Sequence, residues 1–209
     1  MTKLIDISPV LSSATAVWPG DVPFSRAVAL DMKKGDNLTL SAITTTLHIG
    51  AHADAPSHYG RHGAAIGERD LELYYGACDV VHVNVARGER ISSSHLAGAR
   101  ITSPRVLLKT GTFPDPNVFN TDFASLSPEL VDYLAARGVR LIGIDTPSVD
   151  PFADRELLAH NAVQFHDMAV LEAIVLAHVA AGAYTLIALP LRLAEGDASP
   201  VRAALLPAQ

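Results

Sequence analysis

The sequence predicts an α/β fold, a single domain with a mixed β-sheet at its centre. Three observations lead there. Short β-rich runs outnumber helical ones, the helical patterns sit late in the chain, and no repeat, low-complexity segment or linker divides the 209 residues. A chain of this length can bury a substantial core without covalent staples, so one domain over 1–209 is expected.

Residues 3–7 read as the first strand, ending at Ser8-Pro9. Val17-Trp18-Pro19-Gly20-Asp21 is rich in turn formers, and residues 24–30 alternate loosely enough for a strand. After the polar loop Lys33-Lys34-Gly35-Asp36-Asn37, residues 38–48 (LTLSAITTTLH) carry four threonines and an isoleucine, which favours β-structure. Residues 80–85 and 105–109 read as buried strands. A helix is expected over 128–137: Ser127 can cap it, Pro128 suits its first turn and Gly138 its C′ position. Residues 139–144 then read as a strand running into Asp145-Thr146-Pro147. A second helix is expected over about 168–181, stopped at Gly182, and residues 184–189 form another strand.

Composition narrows the function classes. Hydrophobic residues make up 49% and charged residues 18%, unlike a disordered chain. The net charge is −6 with no Lys/Arg run, which argues against nucleic-acid or anionic-membrane partners. The apolar stretches are too short to span a bilayer, and the N-terminal residues do not read as a signal peptide. Cys78 is the one cysteine, so no intrachain disulfide is possible; a reducing, cytoplasmic location is expected. There is no GxSxG elbow, P-loop or GxGxxG, and Cys78 reads as a small buried residue.

The chemistry concentrates in His48-Ile49-Gly50-Ala51-His52-Ala53-Asp54-Ala55-Pro56-Ser57-His58, four ligand-type side chains within 11 residues. His and Asp suit zinc, manganese, iron or cobalt. A helix would turn Asp54 away from the two histidines, and Gly50 and Pro56 oppose one. On a strand, positions 48, 52, 54 and 58 share a side. A straight strand sets residues four apart at about 13 Å, too far for two imidazoles to share one ion. The chain must bend between His48 and His52, and Gly50 is the residue able to bend it. A metal held by His48, His52 and Asp54 is therefore expected, with His58 near enough to move protons. A second group, His160, His166, Asp167, Glu172 and His178, is less decided by spacing. Glu172 is the lone charge in an apolar run, equally consistent with a solvent-facing stripe and a buried ligand. Asp167 could cap the following helix, and His178 would lie near its C-terminal end.

The run HIGAHADAPSH resembles the HxGxHxDxPxH motif of the cyclase-type metal-dependent hydrolase family. Trp18-Pro19-Gly20-Asp21 and Gly143-Ile144-Asp145-Thr146-Pro147-Ser148-Val149-Asp150 are most similar to its bacterial kynurenine formamidase (arylformamidase) branch. Similarity continues through Leu108-Lys109-Thr110-Gly111-Thr112, His166-Asp167, Leu171-Glu172 and Leu189-Pro190-Leu191-Arg192. The resemblance implies a swivelling β/β/α arrangement, assembly as homodimers or larger, and a two-metal site, usually zinc. It implies that His48, His52 and Asp54 hold one ion, and that Asp54 bridges to a second completed by His160 and Glu172. His166 is close enough in sequence to compete with His160. His58 matches the family's proton-transfer residue, and Trp18 an aromatic lying against the substrate. The implied reaction is hydrolysis of N-formyl-L-kynurenine to L-kynurenine and formate. A relative acting on an isatin-type or other cyclic or aryl amide, and a metal-binding protein without catalysis, are the competing expectations.

Overall fold

The computed structural model describes residues 3–208; residues 1, 2 and 209 of the expected domain lie outside it. Its strands are β1 (Ile5–Asp6), β2 (Ser25–Leu30), β3 (Leu40–Thr44), β4 (His52–Asp54), β5 (Tyr75–His82), β6 (Arg90–Ile91), β7 (Arg105–Lys109), β8 (Ser125–Leu126), β9 (Leu141–Ile144), β10 (Ala169–Glu172), β11 (Gly182–Ile187), β12 (Ala198–Pro200) and β13 (Ala204–Pro207). The α-helices are α1 (Pro56–Tyr59), α2 (Pro128–Ala135) and α3 (Leu158–Phe165). No helix among the described residues is long and apolar enough to cross a membrane.

Nine strands form one mixed sheet in the order β1-β13-β11-β5-β7-β9-β10-β4-β12. The central four, β5, β7, β9 and β10, are parallel, and antiparallel neighbours flank them on both sides. The central strands are continuous apolar runs because both faces are covered. Leu107, Leu141 and Leu171 point to one core. Val106, Leu108, Ile142 and Val170 point to the other, where Leu130, Val131 and Leu134 of α2 and Ala159 and Val163 of α3 cover them. The first core also receives Leu186 and Leu205 from one end of the sheet and Ala53 from the other. The sheet must therefore curl onto itself, which gives two β layers and one helical layer. The fold class read from the sequence is the one observed.

Helix α2 begins as expected, with Ser127 Oγ accepting from the Leu130 N–H at 3.2 Å and Gly138 at φ +79° past its end. The expectation of a helix over 168–181 is wrong. Residues 169–172 form strand β10 in the middle of the sheet, and Ala173 leaves it at φ +50°. A short apolar run buried on all sides has no periodicity to separate strand from helix. The helix in this region is α3, which precedes it. Asp167 is accordingly no cap; it lies beyond α3 at φ +49° and pairs with Arg69 at 2.6 Å. His178 is in an irregular segment, where its Nε2–H donates to the Asp6 carbonyl at 2.9 Å. The strand expected over 38–48 is only Leu40–Thr44, and it pairs with β2 alone in an exposed hairpin.

Candidate metal centre

Gly50 makes the bend that the histidine spacing demands. It sits at φ +54°, and a Cβ there would fall 2.6 Å from the Leu11 side chain, so both its conformation and its lack of a side chain are used. Past the bend, β4 is three residues long and buried between β10 and β12. His52 and Asp54 share one face of it, while Ala53 points into the core. His58 does not lie on an extension of this strand, as parity suggested. Pro56 opens the one-turn helix α1, and that turn carries His58 back over His48, with ring centroids 4.2 Å apart.

Five side chains converge on one interior. Asp54 Oδ1 lies 3.0 Å from His48 Nδ1 and 3.4 Å from His52 Nε2; its Oδ2 lies 3.4 Å from His160 Nε2. Glu172 Oε2 is 3.4 Å from His52 Nε2, and Oε1 is 3.7 Å from His160 Nε2. Asp54, His52, His160 and Glu172 are almost fully buried and His48 partly so. The solvent-facing alternative for Glu172 therefore does not hold. His160 enters from the first turns of α3, whereas His166 is turned outward to Asp132 at 2.7 Å. The Asp54 carboxylate stands between the two sets of donors, one oxygen toward each.

The outer nitrogens of the imidazoles are all engaged. His52 Nδ1–H donates to the Gly50 carbonyl at 2.8 Å, His160 Nδ1 meets Asp150 Oδ2 at 2.8 Å, and His48 Nε2 meets Asp197 Oδ2 at 3.0 Å. This is the outer support that metal-ligating histidines use to fix their tautomer. Asp150 does more than orient His160. It also accepts the Ala159 and His160 N–H groups at the start of α3, and Arg90 holds its other side. Next to it, the Val149 N–H donates to Glu172 Oε1 at 2.7 Å. The GIDTPSVD segment thus braces two of the five groups, through residues that sequence reasoning quoted but gave no role. Asp197 was not singled out at all.

The inner atoms are not satisfied by one another. His52 Nε2 and Asp54 Oδ1 are buried without a hydrogen-bond partner, although they are close. Two carboxylates and three imidazoles make that interior suited to a divalent cation. His48, His52 and Asp54 offer donor atoms within 4.8 Å of one another, as do Asp54, His58 and His160. In the absence of metal the group holds protons instead. Burial opposes charge on His52, but Asp54 and Glu172 outweigh it and push its pKa up to about 10. His160 behaves alike, pushed up to about 10 by Asp150 and Asp54 against the cost of burial. Asp54, despite its burial, is held well below the usual carboxylate range by His160, His48 and His52. His58 is the exception: burial lowers its pKa and keeps it neutral at pH 7.

A cavity of about 440 Å³ opens onto this centre. His48, His52, His58, His160 and Glu172 form its floor, and Trp18, Phe113 and Phe119 its wall. Trp18 is half-buried and packs on Phe152 at 4.9 Å and Phe119 at 5.4 Å between centroids, one edge of an aromatic cluster. No Lys or Arg is among the lining residues, and Asp21 is a second carboxylate there beside Glu172.

The fold matches a potential metal-dependent hydrolase with cyclase activity at TM-score 0.86, with 24% identity over 100% of both chains. It matches a predicted metal-dependent hydrolase from Bacillus stearothermophilus at 0.82, with 24% identity over 98% of each chain. It also matches isatin hydrolase A from Labrenzia aggregata, bound to benzyl benzoate, at 0.85, with 21% identity over 100% of this chain and 94% of that one. These likenesses show a common fold. In sequence, the Cyclase family model matches residues 5–151, a span that contains the bend at Gly50, strand β4 and the bracing Asp150. The chain belongs to the Cyclase family.

Proposed function

We propose that the chain is a metal-dependent hydrolase that cleaves N-formyl-L-kynurenine to L-kynurenine and formate, a step of tryptophan degradation. The observation that carries the reading is the orientation of the three imidazoles: each has its outer nitrogen occupied and its inner nitrogen turned toward Asp54 and Glu172. His48, His52 and Asp54 would hold one ion; Asp54, His160 and Glu172 the second; zinc is the metal the family resemblance favours, and the donor set also admits manganese, iron or cobalt. Two such ions supply Lewis acidity, polarising an amide oxygen and acidifying water to a pKa of about 7.

The chain's own residues account for the rest. His58, neutral at pH 7 and lining the cavity, takes the proton from the attacking water as the C–O bond forms. It returns that proton to the aryl nitrogen as the C–N bond breaks, so the amine leaves neutral. Trp18, Phe113 and Phe119 stack the aryl ring and exclude water from it. Asp21, which also lines the cavity, gives the substrate's ammonium group an acidic partner. Assembly as a homodimer or larger belongs to the same reading; the exposed apolar side chains Leu40 and Ile43 of the β2–β3 hairpin support it.

A second reading has its own observation. With no Lys or Arg lining the cavity, a substrate carboxylate meets no cation there, and an uncharged cyclic amide of the isatin type suits the same walls. Turnover by purified, zinc-loaded protein separates them. N-formyl-L-kynurenine is expected to yield kynurenine absorbance, with isatin the poorer substrate. A reversed preference favours the second reading, and inertness toward both leaves a metal-binding protein without catalysis. His58→Ala is expected to keep its full metal content and lose about 10²–10⁴-fold in kcat, the usual contribution of a positioned acid–base group. Loss of metal instead would make His58 a ligand.

A further inference from the structure

We propose that Asp197 is a positioning residue that fixes the tautomers of His48 and His58, setting the first for metal and the second for proton transfer. The inference rests on the hydrolase reading above for its kinetic consequence, and on geometry alone for the tautomers. Asp197 immediately precedes the edge strand β12, and the Ala55 N–H donates to its carbonyl at 2.9 Å. The next residue, Ala198, pairs with Asp54 itself. The strand that presents the ligands therefore also places the Asp197 backbone, although 143 residues separate Asp197 from Asp54 (197 − 54 = 143).

One carboxylate oxygen serves two rings. Asp197 Oδ2 lies 3.0 Å from His48 Nε2 and 3.7 Å from His58 Nδ1. On His48 it meets the edge opposite Nδ1, the nitrogen that faces Asp54 at 3.0 Å. An acceptor at Nε2 places the proton there and leaves the Nδ1 lone pair pointing inward. His58 Nδ1, at 3.7 Å, is beyond hydrogen-bond distance, so the carboxylate acts on it through its charge, favouring the tautomer that carries the proton on Nδ1 and leaves Nε2 as the basic nitrogen. His58 needs such an anchor. It sits on a one-turn helix, is only partly buried, and has no other acidic group within 4.0 Å among the described residues. Asp197 is half-exposed and does not line the cavity, so it acts through the two histidines and touches no substrate.

The tautomers can be read without turnover. Long-range ¹H–¹⁵N NMR of the zinc-loaded protein is expected to show His48 as Nε2–H and His58 as Nδ1–H, with His58 reverting to a mixture in Asp197→Ala. A wild-type His58 fixed as Nε2–H, or an unchanged His58 in the variant, overturns the inference. Kinetics give the second arm. An aryl formamide needs a proton on its leaving nitrogen, whereas a nitrophenyl formate leaves as a stable anion. Asp197→Ala with zinc retained is expected to lose about 10–100-fold in kcat on the formamide, the cost of removing outer support, with KM little changed and a smaller loss on the ester, which needs His58 only for the first of its two proton transfers. Asp197→Glu should recover part of it. Equal losses on both substrates would overturn the kinetic arm, because the effect would then not lie in the proton delivered to the leaving nitrogen. A wild-type protein inert toward formamides defeats the functional reading and leaves the NMR result standing.

Discussion

Asp54→Asn is expected to bring hydrolysis to the background rate and to leave a folded protein that no longer retains two ions. The substitution keeps the shape of the side chain and removes its charge. Asp54 Oδ1 faces His48 and His52, and Oδ2 faces His160, so its two oxygens stand one toward each half of the centre. An amide in its place would turn N–H donors toward at least one set of imidazoles whose inner nitrogens are meant to donate lone pairs. With the ions go both the acidified water and the carbonyl polarisation. A loss of at least about 10³-fold is expected, the scale on which removal of a single electrostatic group already acts. Metal content by mass spectrometry and turnover of an aryl formamide measure it together. Two tightly held ions with near-normal turnover in Asp54→Asn would remove the bridging role.

What the sequence made legible follows from how local each constraint is. The two candidate ligands on β4 are readable because alternation places His52 and Asp54 on one face, and because a straight strand cannot bring His48 to them, which requires the bend found at Gly50. His58 was read onto the right side by a route the fold does not take, since α1 and not strand parity turns it inward. Glu172 was ambiguous because AVLEAIVL is apolar on every side. In the fold, β10 is covered on both faces, so the run has no solvent side to mark, and the carboxylate is buried against donors from other elements. Helix α3 was missed, although it carries His160. Its first turn is capped by Asp150 from a loop nine and ten residues earlier in the chain, not by a residue at its own N-terminus, where Leu157 sits at φ +52°. Asp197 was out of reach for the same reason in stronger form. Its role exists only once β12 pairs with β4.

The pH dependence of stability is expected to run in opposite directions with and without metal. In the metal-free protein, His52 and His160 are each raised to about 10, against about 6.5 in the unfolded chain. A raised pKa means that the folded state binds protons the unfolded state has released. The stabilisation is fully present below about pH 6.5 and is lost as pH rises toward about 10. His48, also raised, adds to this trend, whereas Asp54 is depressed and titrates far below the window. His58 is lowered, so its contribution falls only on the acid side of 6.5. Metal reverses the requirement, because imidazoles ligate only when neutral and loading expels those protons. The melting temperature of chelator-treated protein should therefore fall between pH 6.5 and 9.5, while the gap between zinc-loaded and chelator-treated protein widens. In a chain of this size each kcal/mol is worth about 2–4 °C, so a shift of several degrees is measurable by calorimetry. Asp54→Asn supplies the control. It removes a carboxylate that holds both histidines protonated, so its metal-free melting temperature should be lower at pH 6.5 and much flatter across the window. Parallel curves for loaded and chelated wild-type protein would mean that the buried imidazoles do not exchange protons for metal, and the centre would have to be reassigned as a structural hydrogen-bonded cluster.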